Sequence, residues 1–262
     1  MGRLDDAVAI VTGGARGIGR AIVTAFAAEG AVVTAIDRDA EAGERAAAEI
    51  ADLAGTADRA VAFREGDVSD EAIAEVIEGV AREHGGRIDV LVNNAAVQRE
   101  ARLHDQTVED FRAMVDTNLL GPFLVTKAAL PHLLGTGRGV VINLSSVLGL
   151  VGDPLLPVYA TTKAGILGFT RSVAITYADQ GLRAVAICPG DVDTELNQQY
   201  FATQPDPAAF RQRVEREYPV RRIATPEEIA RVAVFLATDD ASFITGSHVV
   251  VDGGVLSRLY EL

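Results

Sequence analysis

The stretch Val8-Ala9-Ile10-Val11-Thr12-Gly13-Gly14-Ala15-Arg16-Gly17-Ile18-Gly19 decides the fold of this chain. A short apolar run rich in β-branched residues ends at Thr12, and glycines spaced G-x-x-x-G-x-G lead from it into a helical pattern. Glycine permits a tight turn and lets backbone N–H groups approach a pyrophosphate at a helix N-terminus. The spacing differs from the commoner G-x-G-x-x-G, so this motif alone is compatible with a dinucleotide site or with an ordinary glycine-rich turn.

The same alternation of short apolar runs and longer helical patterns continues along the chain. The predicted strands are Val8–Thr12, Val32–Ile36, Ala60–Arg64, Val90–Asn93, Val140–Leu144, Arg183–Ile187 and Ser247–Val251. The predicted helices are Gly17–Glu29, Ala40–Leu53, Asp70–His84, Val108–Leu134, Pro157–Asp179 and Pro226–Thr238. The strands lack polar–apolar alternation, which is typical of parallel strands covered by helices on both faces. We therefore expect an α/β fold over residues 1–262, a single-domain, Rossmann-like, doubly wound, seven-stranded parallel sheet flanked by helices.

The longest irregular stretch follows the sixth predicted strand, from Asp191 to about Asp206, and is rich in Gln and Pro. A long loop at the carboxyl end of a strand is commonly a lid or a substrate-binding segment. We predict a substrate loop over about 191–218.

Composition restricts the classes of function. The formal net charge of −13 is spread along the chain, which disfavours binding to a phosphate backbone and favours a small-molecule ligand, with no nucleic acid partner. The single cysteine, Cys188, lies at the end of an apolar strand, so we expect a core residue and a reducing, cytoplasmic environment. No uncharged apolar window is long enough to span a membrane, and the four histidines lack metal-ligand spacing, so we predict no membrane and no catalytic metal.

The second predicted strand is followed by Asp37, eighteen positions beyond Gly19. A carboxylate at this place can accept hydrogen bonds from both hydroxyls of an adenosine ribose and would repel a 2′-phosphate. Arg16 lies in the glycine turn and Arg38 directly follows Asp37, and either could pair with that phosphate. Because Asp37 occupies the place that a phosphate would need, we expect NAD as the cofactor, with NADP as the alternative.

Two further polar segments follow predicted strands. Asp67 comes after the third strand, and Asn93-Asn94-Ala95-Ala96 comes at the end of the fourth. Ligands of open parallel sheets bind at this edge, where an acid can accept from an adenine amino group and alanines leave room for adenosine. A helix-capping Asp and an Asn-based turn are the alternatives.

Tyr159 and Lys163 are four residues apart at the start of a predicted helix and therefore share one face. Ser146 ends the fifth predicted strand, where the chain can fold back beside that face. A phenol has an ordinary pKa near 10, and an ammonium together with the positive charge of oxidised nicotinamide would lower it. We therefore predict that Tyr159 is the general acid/base and that Ser146 holds the substrate oxygen. A helix surface contact between Tyr159 and Lys163 is the alternative.

In combination, these motifs resemble the short-chain dehydrogenase/reductase family over essentially the whole chain. The resemblance is carried, in the family's order and spacing, by Thr12–Gly19, the Asn-Asn-Ala segment at Asn93, Asn118, Ser146, Tyr159-x-x-x-Lys163 and Pro189-Gly190. It implies that Lys163 lowers the pKa of Tyr159 and binds ribose, and that Asn118 joins through a water that relays protons to Lys163.

The resemblance also implies how the cofactor is held. Pro189-Gly190 would line the nicotinamide, Val192 and Thr194 would hold its carboxamide, and Asp67 with Val68 would meet adenine. The full predicted cofactor set is Gly13, Arg16, Gly17, Ile18, Gly19, Asp37, Arg38, Asp67, Val68, Asn94, Ala95, Tyr159, Lys163, Pro189, Gly190, Val192 and Thr194. Family members form dimers or tetramers through the helices that carry Tyr159 and Asn118, and we expect a homotetramer.

The chain departs from the family's pattern at two places. Ala96 stands where glycine is usual, a mild change that should be tolerated. Asp191, Asp193 and Glu195 make the loop after Pro189-Gly190 unusually acidic. That loop is either simply solvated or adapted to a substrate with several hydroxyls or a positive charge.

These observations predict an oxidoreductase that transfers a hydride between NAD(H) and a secondary alcohol or ketone, such as a sugar, polyol or cyclic alcohol. An NADPH-dependent ketone or 3-ketoacyl reductase is the closest alternative, and a cofactor-binding sensor or scaffold without catalysis is another class. The predicted substrate contacts are Val97, Gln98, Ser146, Val147, Asp153, Tyr159, Asp191, Leu196, Tyr200 and Phe201.

Overall fold

A computed structural model describes residues 2–54 and 61–258. The strands are β1 Val8–Thr12, β2 Val32–Asp37, β3 Val61–Glu65, β4 Val90–Asn93, β5 Val140–Leu144, β6 Arg183–Pro189 and β7 His248–Val251. The α-helices are α1 Gly17–Ala28, α2 Ala40–Ala54, α3 Ile73–Glu83, α4 Val108–Val115, α5 Gly121–Leu134, α6 Pro157–Tyr177, α7 Glu195–Ala202, α8 Pro207–Glu217 and α9 Pro226–Ala237. Within these residues no helix is long and apolar enough to cross a membrane.

The strands form one seven-stranded, all-parallel sheet in the order β3-β2-β1-β4-β5-β6-β7. The chain order therefore reverses between β1 and β4, where Val11 of β1 lies beside Val92 of β4. In doubly wound sheets this reversal opens a crevice at the carboxyl ends of the strands, and ligands bind there. The expected Rossmann-like α/β fold is confirmed.

Apolar side chains pack on both faces of the sheet. Ala9 and Val11 of β1 face α1 and α9, whereas Ile10 between them faces α3 and α5. All five residues of β1 are buried, which explains why the strand reads as a continuous apolar run rather than an alternating one. The two helix layers thus fix the sheet from both sides.

A buried polar ladder crosses the middle of the sheet. Asn93 Nδ2 donates to Asn143 Oδ1 at 2.8 Å and to Thr126 Oγ1 at 2.9 Å. Asn143 Nδ2 donates in turn to Thr170 Oγ1 on α6 at 2.8 Å. Buried polar groups without partners are costly, so this ladder fixes the register of β4 and β5 against α5 and α6.

The predicted long helix Val108–Leu134 is interrupted by a π-helical turn over Asp116–Leu120, between α4 and α5. Pro122 follows this turn and has no N–H to donate to the carbonyl of Asn118 four residues earlier. Turns of this kind often lie at functional sites, and Asn118 is buried within this one.

The prediction of an irregular stretch from Asp191 to Asp206 is wrong. The segment forms α7 and then enters α8, and both helices have side-chain N-caps: Thr194 Oγ1 accepts from the Asn197 N–H, and Asp206 accepts from the Ala209 N–H. Smaller differences concern helix and strand ends. The third predicted helix begins at Ile73 rather than Asp70, the seventh strand begins at His248, and Ala60 lies outside the described residues.

Candidate active site

The glycine turn after β1 has the geometry that the motif predicts. Gly13 and Gly17 have φ angles of +65° and +53°, in the left-handed region that favours glycine. A Cβ atom on Gly19 would lie 2.0 Å from the Gly13 carbonyl oxygen. The helix α1 starts at Gly17 without a side-chain cap on its first N–H groups. This turn therefore leaves backbone donors open to an anionic group such as a pyrophosphate.

Asn94 ties the end of β4 to the end of β1. Its Nδ2 donates to the carbonyls of Thr12 at 3.0 Å and Gly13 at 3.1 Å, and its backbone N–H donates to Thr12 Oγ1 at 3.0 Å. Ala95 N–H donates to the same hydroxyl at 3.2 Å. These bonds hold the glycine turn against the strand across the crevice.

The acid after β2 faces the glycine turn. Asp37 Oδ2 accepts from the Ala15 N–H at 3.2 Å, and Oδ1 accepts from the Asp39 N–H at 3.2 Å. The Arg16 guanidinium forms an ion pair with Asp39 and lies 3.7 Å from Glu195 on α7. Arg38 is exposed. The structure therefore places two carboxylates and two guanidinium groups at the predicted ribose position, with Arg16 already paired.

Asp67 accepts hydrogen bonds from the N–H and hydroxyl of Ser69, at 2.9 Å and 2.7 Å. Burial opposes ionisation of Asp67, but these bonds and the charge of Arg38 together hold the pKa of the carboxyl below its usual value. The acid thus makes a local turn and also lines the crevice beside Val68.

The three predicted catalytic side chains come together at the end of β5. Ser146 accepts from the Leu148 N–H at 3.1 Å and lies close enough to the Tyr159 hydroxyl to act against the rise in its pKa. Lys163 Nζ donates to the Leu144 carbonyl at 2.8 Å and lies 5.5 Å from the centre of the Tyr159 ring. The lysine is thus held by the end of β5 on the same side of α6 as the tyrosine.

Taken together, the protein's own groups raise the pKa of Tyr159. Burial raises the pKa of this phenol to about 12, the charge of Asp191 adds to the effect, and the hydrogen bond to Ser146 opposes it. Burial likewise lowers the pKa of Lys163 to about 8. The expected lowering of the phenol pKa therefore requires positive charge in addition to that of the protein.

Asn118 lies next to this group but is hydrogen-bonded elsewhere. Its Oδ1 accepts from the Val97 N–H at 2.8 Å, while its Nδ2 donates to the Val97 carbonyl at 2.9 Å and to Thr162 Oγ1 at 3.2 Å. The side chain thus holds the loop after β4 against α6. Its backbone carbonyl receives no hydrogen bond from Pro122, so this carbonyl is the group that we consider for the predicted relay of protons.

A cavity of about 520 Å³ joins these parts at the carboxyl edge of the sheet. Its lining includes the predicted residues Gly13, Arg16, Gly17, Ile18, Asp37, Arg38, Asp67, Val68, Asn94, Ala95, Val97, Gln98, Tyr159, Lys163, Pro189, Thr194 and Leu196. A second cavity of similar volume, around Asp89 and Arg183 at the opposite edge, contains none of the predicted site residues.

Several lining residues were missed by reasoning from the sequence. They are Ile36, Asp39, Gly66, Ala96, Arg99, Thr117, Leu144, Ser145, Glu195 and Gln199. Most of them neighbour a predicted residue in sequence, and the position at the end of a strand was the available signal. Thr117 lies within the π-helical turn, and nothing in the local sequence indicates that it faces the crevice.

The remaining predicted residues lie around the cavity rather than in its lining. Gly19 is beneath the glycine turn, Gly190 packs against the Tyr218 ring, and Val192 is buried. Tyr200 and Phe201 pack with Phe210 in an aromatic cluster, at centroid distances of 5.6 to 6.1 Å.

The other predicted substrate residues lie in the loops before α6 and α7. Val147 opens a 3₁₀ turn directly after Ser146. Asp153 Oδ1 accepts from the Leu155 N–H at 2.8 Å. Asp191 accepts from the Tyr218 hydroxyl at 2.8 Å, and burial raises the pKa of its carboxyl.

Comparison with known proteins decides the family. A family model described as enoyl-(acyl carrier protein) reductase matches residues 13–256. The chain belongs to the short-chain dehydrogenase/reductase family. It is 39% identical over 257 residues to the oxidoreductase UcpA of Escherichia coli (strain K12), covering 97% of this chain and 96% of that protein.

Two further relatives carry more specific names. This short-chain dehydrogenase/reductase is 38% identical over 255 residues to the 3-oxoacyl-[acyl-carrier-protein] reductase FabG of Thermotoga maritima, covering 97% of this chain and 99% of the relative. It is 39% identical over 249 residues to the 2-(R)-hydroxypropyl-CoM dehydrogenase of Xanthobacter autotrophicus, covering 94% and 97%. The protein is therefore an oxidoreductase that acts on CH–OH or carbonyl groups, in a family that uses NAD(P)(H).

The buried ammonium makes stability depend on pH. Burial lowers the pKa of Lys163 from an ordinary value of 10.5 to about 8, so between these values the unfolded chain binds more protons than the folded one. Stability from this group therefore rises with pH across that window. From pH 7 to pH 9.5, we expect the free energy of unfolding to increase by about 2 kcal/mol more in the wild type than in Lys163→Met. Urea denaturation at the two pH values measures both increases.

Lys127, the chain's other lysine, is exposed on α5 and provides the matched control. Lys127→Met should keep the pH dependence of the wild type. An identical pH dependence in Lys163→Met and the wild type would show that the ammonium is not buried in the folded protein.

Proposed function

We propose that this protein is an NAD-dependent oxidoreductase that interconverts a secondary alcohol and the corresponding ketone. The proposal is supported above all by the convergence of Ser146, Tyr159 and Lys163 beside the crevice that starts at the glycine turn. A sensor or scaffold has no need for this combination of groups, so a catalytic role accounts for it better.

In the proposed reaction, the alcohol carbon loses a hydride and its oxygen loses a proton. Tyr159 accepts that proton during oxidation and returns it during reduction. Ser146 lies close to the tyrosine hydroxyl and would donate to the substrate oxygen, which would fix the orientation of the carbinol carbon. Lys163 places a cation 5.5 Å from the centre of the phenol ring.

The residues around the crevice fit a dinucleotide. The turn at Gly13 and Gly19 has no room for side chains, and the first turn of α1 offers uncapped N–H groups to a pyrophosphate. When bound, the nicotinamide supplies the hydride acceptor and, in its oxidised form, a positive charge. Pro189 and Thr194 would border that ring, Lys163 would bind its ribose, and the Asn118 carbonyl would hold a water that relays protons.

The choice of NAD rests on the charges at the end of β2. Asp37 accepts from two backbone N–H groups and keeps its carboxylate beside the glycine turn, where a 2′-phosphate would be repelled. The Arg16 guanidinium, which could otherwise attract that phosphate, is paired with Asp39. Both features favour unphosphorylated ribose.

An NADPH-dependent ketone or 3-ketoacyl reductase is the second candidate. Arg38 is exposed at the rim of the same crevice and could pair with a 2′-phosphate. The relative named as a 3-oxoacyl-[acyl-carrier-protein] reductase also favours this candidate.

We propose that residues 1–262 act as one domain, with 191–218 as the substrate segment, and that the protein is a homotetramer. Large apolar side chains are exposed on α4, α5 and α6, with Ile175 at 79% exposure. A second exposed group includes Phe235 of α9 and Val250 of the edge strand β7. Exposed apolar surfaces are typical of protein–protein contacts. Two such surfaces support two different subunit interfaces, which a tetramer with twofold symmetry requires.

Removal of the phenol hydroxyl should abolish turnover. We expect Tyr159→Phe to lower kcat by on the order of 10³-fold, because the proton acceptor is lost, while NADH binding measured by fluorescence titration changes little. Tyr177→Phe, at the other end of the same helix, should retain full activity. Near-complete activity in Tyr159→Phe would exclude the proposed acid/base.

The cofactor choice can be measured directly. We expect kcat/KM of the wild type to be at least about tenfold higher with NAD than with NADP. In Asp37→Ser, we expect this ratio of NAD to NADP to be lower than in the wild type by a factor of about ten or more. Glu65→Gln, an exposed acid beside Asp37 in the neighbouring strand, should leave the ratio unchanged. A wild type that prefers NADP would favour the second candidate and the role of Arg38.

The oligomer can be tested by sedimentation equilibrium. We expect a mass of about four times the 27.6 kDa of one chain. Ile175→Asp places a charge on one apolar surface and should yield a smaller species, whereas Glu71→Gln on an exposed loop should not. A monomeric wild type at micromolar concentration would contradict the proposal.

A further inference from the structure

A short segment joins the end of β6 to the start of α7, and both of its ends line the crevice. Pro189 ends β6, Thr194 is the N-cap of α7, and both residues border the cavity at the carboxyl edge of the sheet. A Cβ atom on Gly17 would lie 3.2 Å from Thr194 Cγ2, so the far end of the segment packs against the glycine turn. The path of residues 190–193 therefore sets the position of two parts of the crevice wall.

The backbone of this segment is held by neighbouring parts of the chain. The Gly190 N–H donates to a carbonyl of β7 at 3.0 Å, and the Asp193 N–H donates to the Ala224 carbonyl at 2.8 Å. The Asp191 N–H, which lies between them, donates to a side chain instead, namely the Tyr218 hydroxyl at 2.6 Å. This hydroxyl therefore continues the series of hydrogen bonds at a position where the neighbouring backbone does not.

The Tyr218 hydroxyl makes two hydrogen bonds to the same residue. It accepts from the Asp191 N–H and donates to Asp191 Oδ2 at 2.8 Å. A phenol hydroxyl is both a donor and an acceptor, so one group satisfies the backbone and the carboxylate together, and a phenylalanine would satisfy neither. The hydroxyl thereby fixes the main chain and the side chain of Asp191 at one point.

The ring of Tyr218 is itself held in place. The residue is only 6% exposed and belongs to an apolar cluster with Phe201 of α7 and Ile223. On its other side it packs on Gly190, where a Cβ atom would lie 2.9 Å from Tyr218 Cε1 and 3.0 Å from its hydroxyl oxygen. Glycine at this position therefore lets the end of β6 approach the ring closely, and the hydroxyl cannot turn away from Asp191 unless the ring moves.

The part of the segment that follows Asp191 is tied to α7. The Thr194 N–H donates to the Val192 carbonyl at 2.7 Å, and Asn197 Nδ2 donates to the same carbonyl at 2.9 Å. The Thr194 hydroxyl accepts in turn from the Asn197 N–H. Because these bonds join residues 192–194 to the first turn of α7, a displacement at Asp191 is passed on to Thr194.

We propose that Tyr218 is a positioning residue for the nicotinamide half of the cofactor, and that its hydroxyl acts through Asp191 to fix the segment between Pro189 and Thr194. The inference rests on the proposed function, because that function places the nicotinamide beside these two residues. Tyr218 lies outside the lining of the crevice, so it touches neither the cofactor nor the reacting atoms. The adenosine half is held instead by the glycine turn and the acid after β2, which do not depend on this hydroxyl.

A purely structural role of Tyr218 makes a different prediction. If the hydroxyl only stabilised the packing of α7 and α8, its loss would weaken the binding of the whole dinucleotide and of its adenosine half alike. If it positions the nicotinamide segment, its loss weakens only the binding that includes the nicotinamide. ADP-ribose keeps the adenosine and the pyrophosphate but lacks the nicotinamide ring, so the two dissociation constants measured side by side separate these roles.

The test measures the Kd of NADH and of ADP-ribose by calorimetry for the wild type and for Tyr218→Phe, which removes the hydroxyl and keeps the ring. We expect the Kd of NADH to rise at least about fivefold, which corresponds to about 1 kcal/mol, the size of one hydrogen bond. The Kd of ADP-ribose should change by less than about twofold. Tyr177→Phe, on α6, removes a phenol hydroxyl elsewhere and should change neither value. If the wild type prefers NADP, NADPH and 2′-phospho-ADP-ribose take the place of the two ligands.

Asp191→Ala serves as a second variant if Tyr218→Phe fails to fold. It removes the carboxylate that accepts from the hydroxyl but keeps the bond from the backbone N–H. We therefore expect a smaller rise in the Kd of NADH than in Tyr218→Phe, again with little change for ADP-ribose.

The outcomes separate this inference from the proposed function. Equal losses of affinity for NADH and ADP-ribose, or no loss for either, would overturn the role of Tyr218, and full turnover of a secondary alcohol by the wild type would leave the proposed reaction intact. A loss confined to NADH supports the inference. If the wild type with that selective loss oxidised no secondary alcohol, the proposed reaction would fail while the role of Tyr218 in binding the nicotinamide half would stand.

Discussion

Because all seven strands run parallel, every loop that follows a strand leaves the sheet at the same edge. The glycine turn after β1, the acid after β2 and the serine after β5 are therefore brought together although they lie far apart in sequence. The reversal of strand order between β1 and β4 opens the crevice among them. Asn94 closes this arrangement with hydrogen bonds to the end of β1, so the position of the whole site depends on the packing of two adjacent parallel strands.

The charges of the site also depend on that geometry. Lys163 is buried and held by the Leu144 carbonyl, and burial moves its pKa toward neutrality. Burial raises the pKa of the Tyr159 phenol, and the charge of Asp191 raises it further. The protein alone therefore holds the proton on the tyrosine. Positive charge that arrives with a ligand would favour the ionised phenol, and this would link the chemistry to occupancy of the crevice.

Much of the fold could be predicted because its signals are local. The apolar runs and the glycine turn predicted the strands and α1 to within a few residues. The helices α7 and α8 were missed although Thr194 and Asp206 are good N-cap residues, because neither helix has a clear apolar stripe. Their packing depends on Phe201 against Tyr218, a contact that no local pattern reveals. The π-helical turn at Asn118 was missed for the same reason, since neighbouring helices and Pro122 decide it together.

The sequence by itself determined the parallel sheet, the glycine turn and the spacing of Tyr159 and Lys163 on one helix face, because each follows from residues a few positions apart. Only the tertiary structure decided where those groups point and what surrounds them. The hydrogen bond from the Tyr218 hydroxyl to the Asp191 carboxylate, for example, joins residues 27 apart. Hydrogen bonds and charges act over a few ångströms in space, so their partners cannot be assigned from separation along the chain.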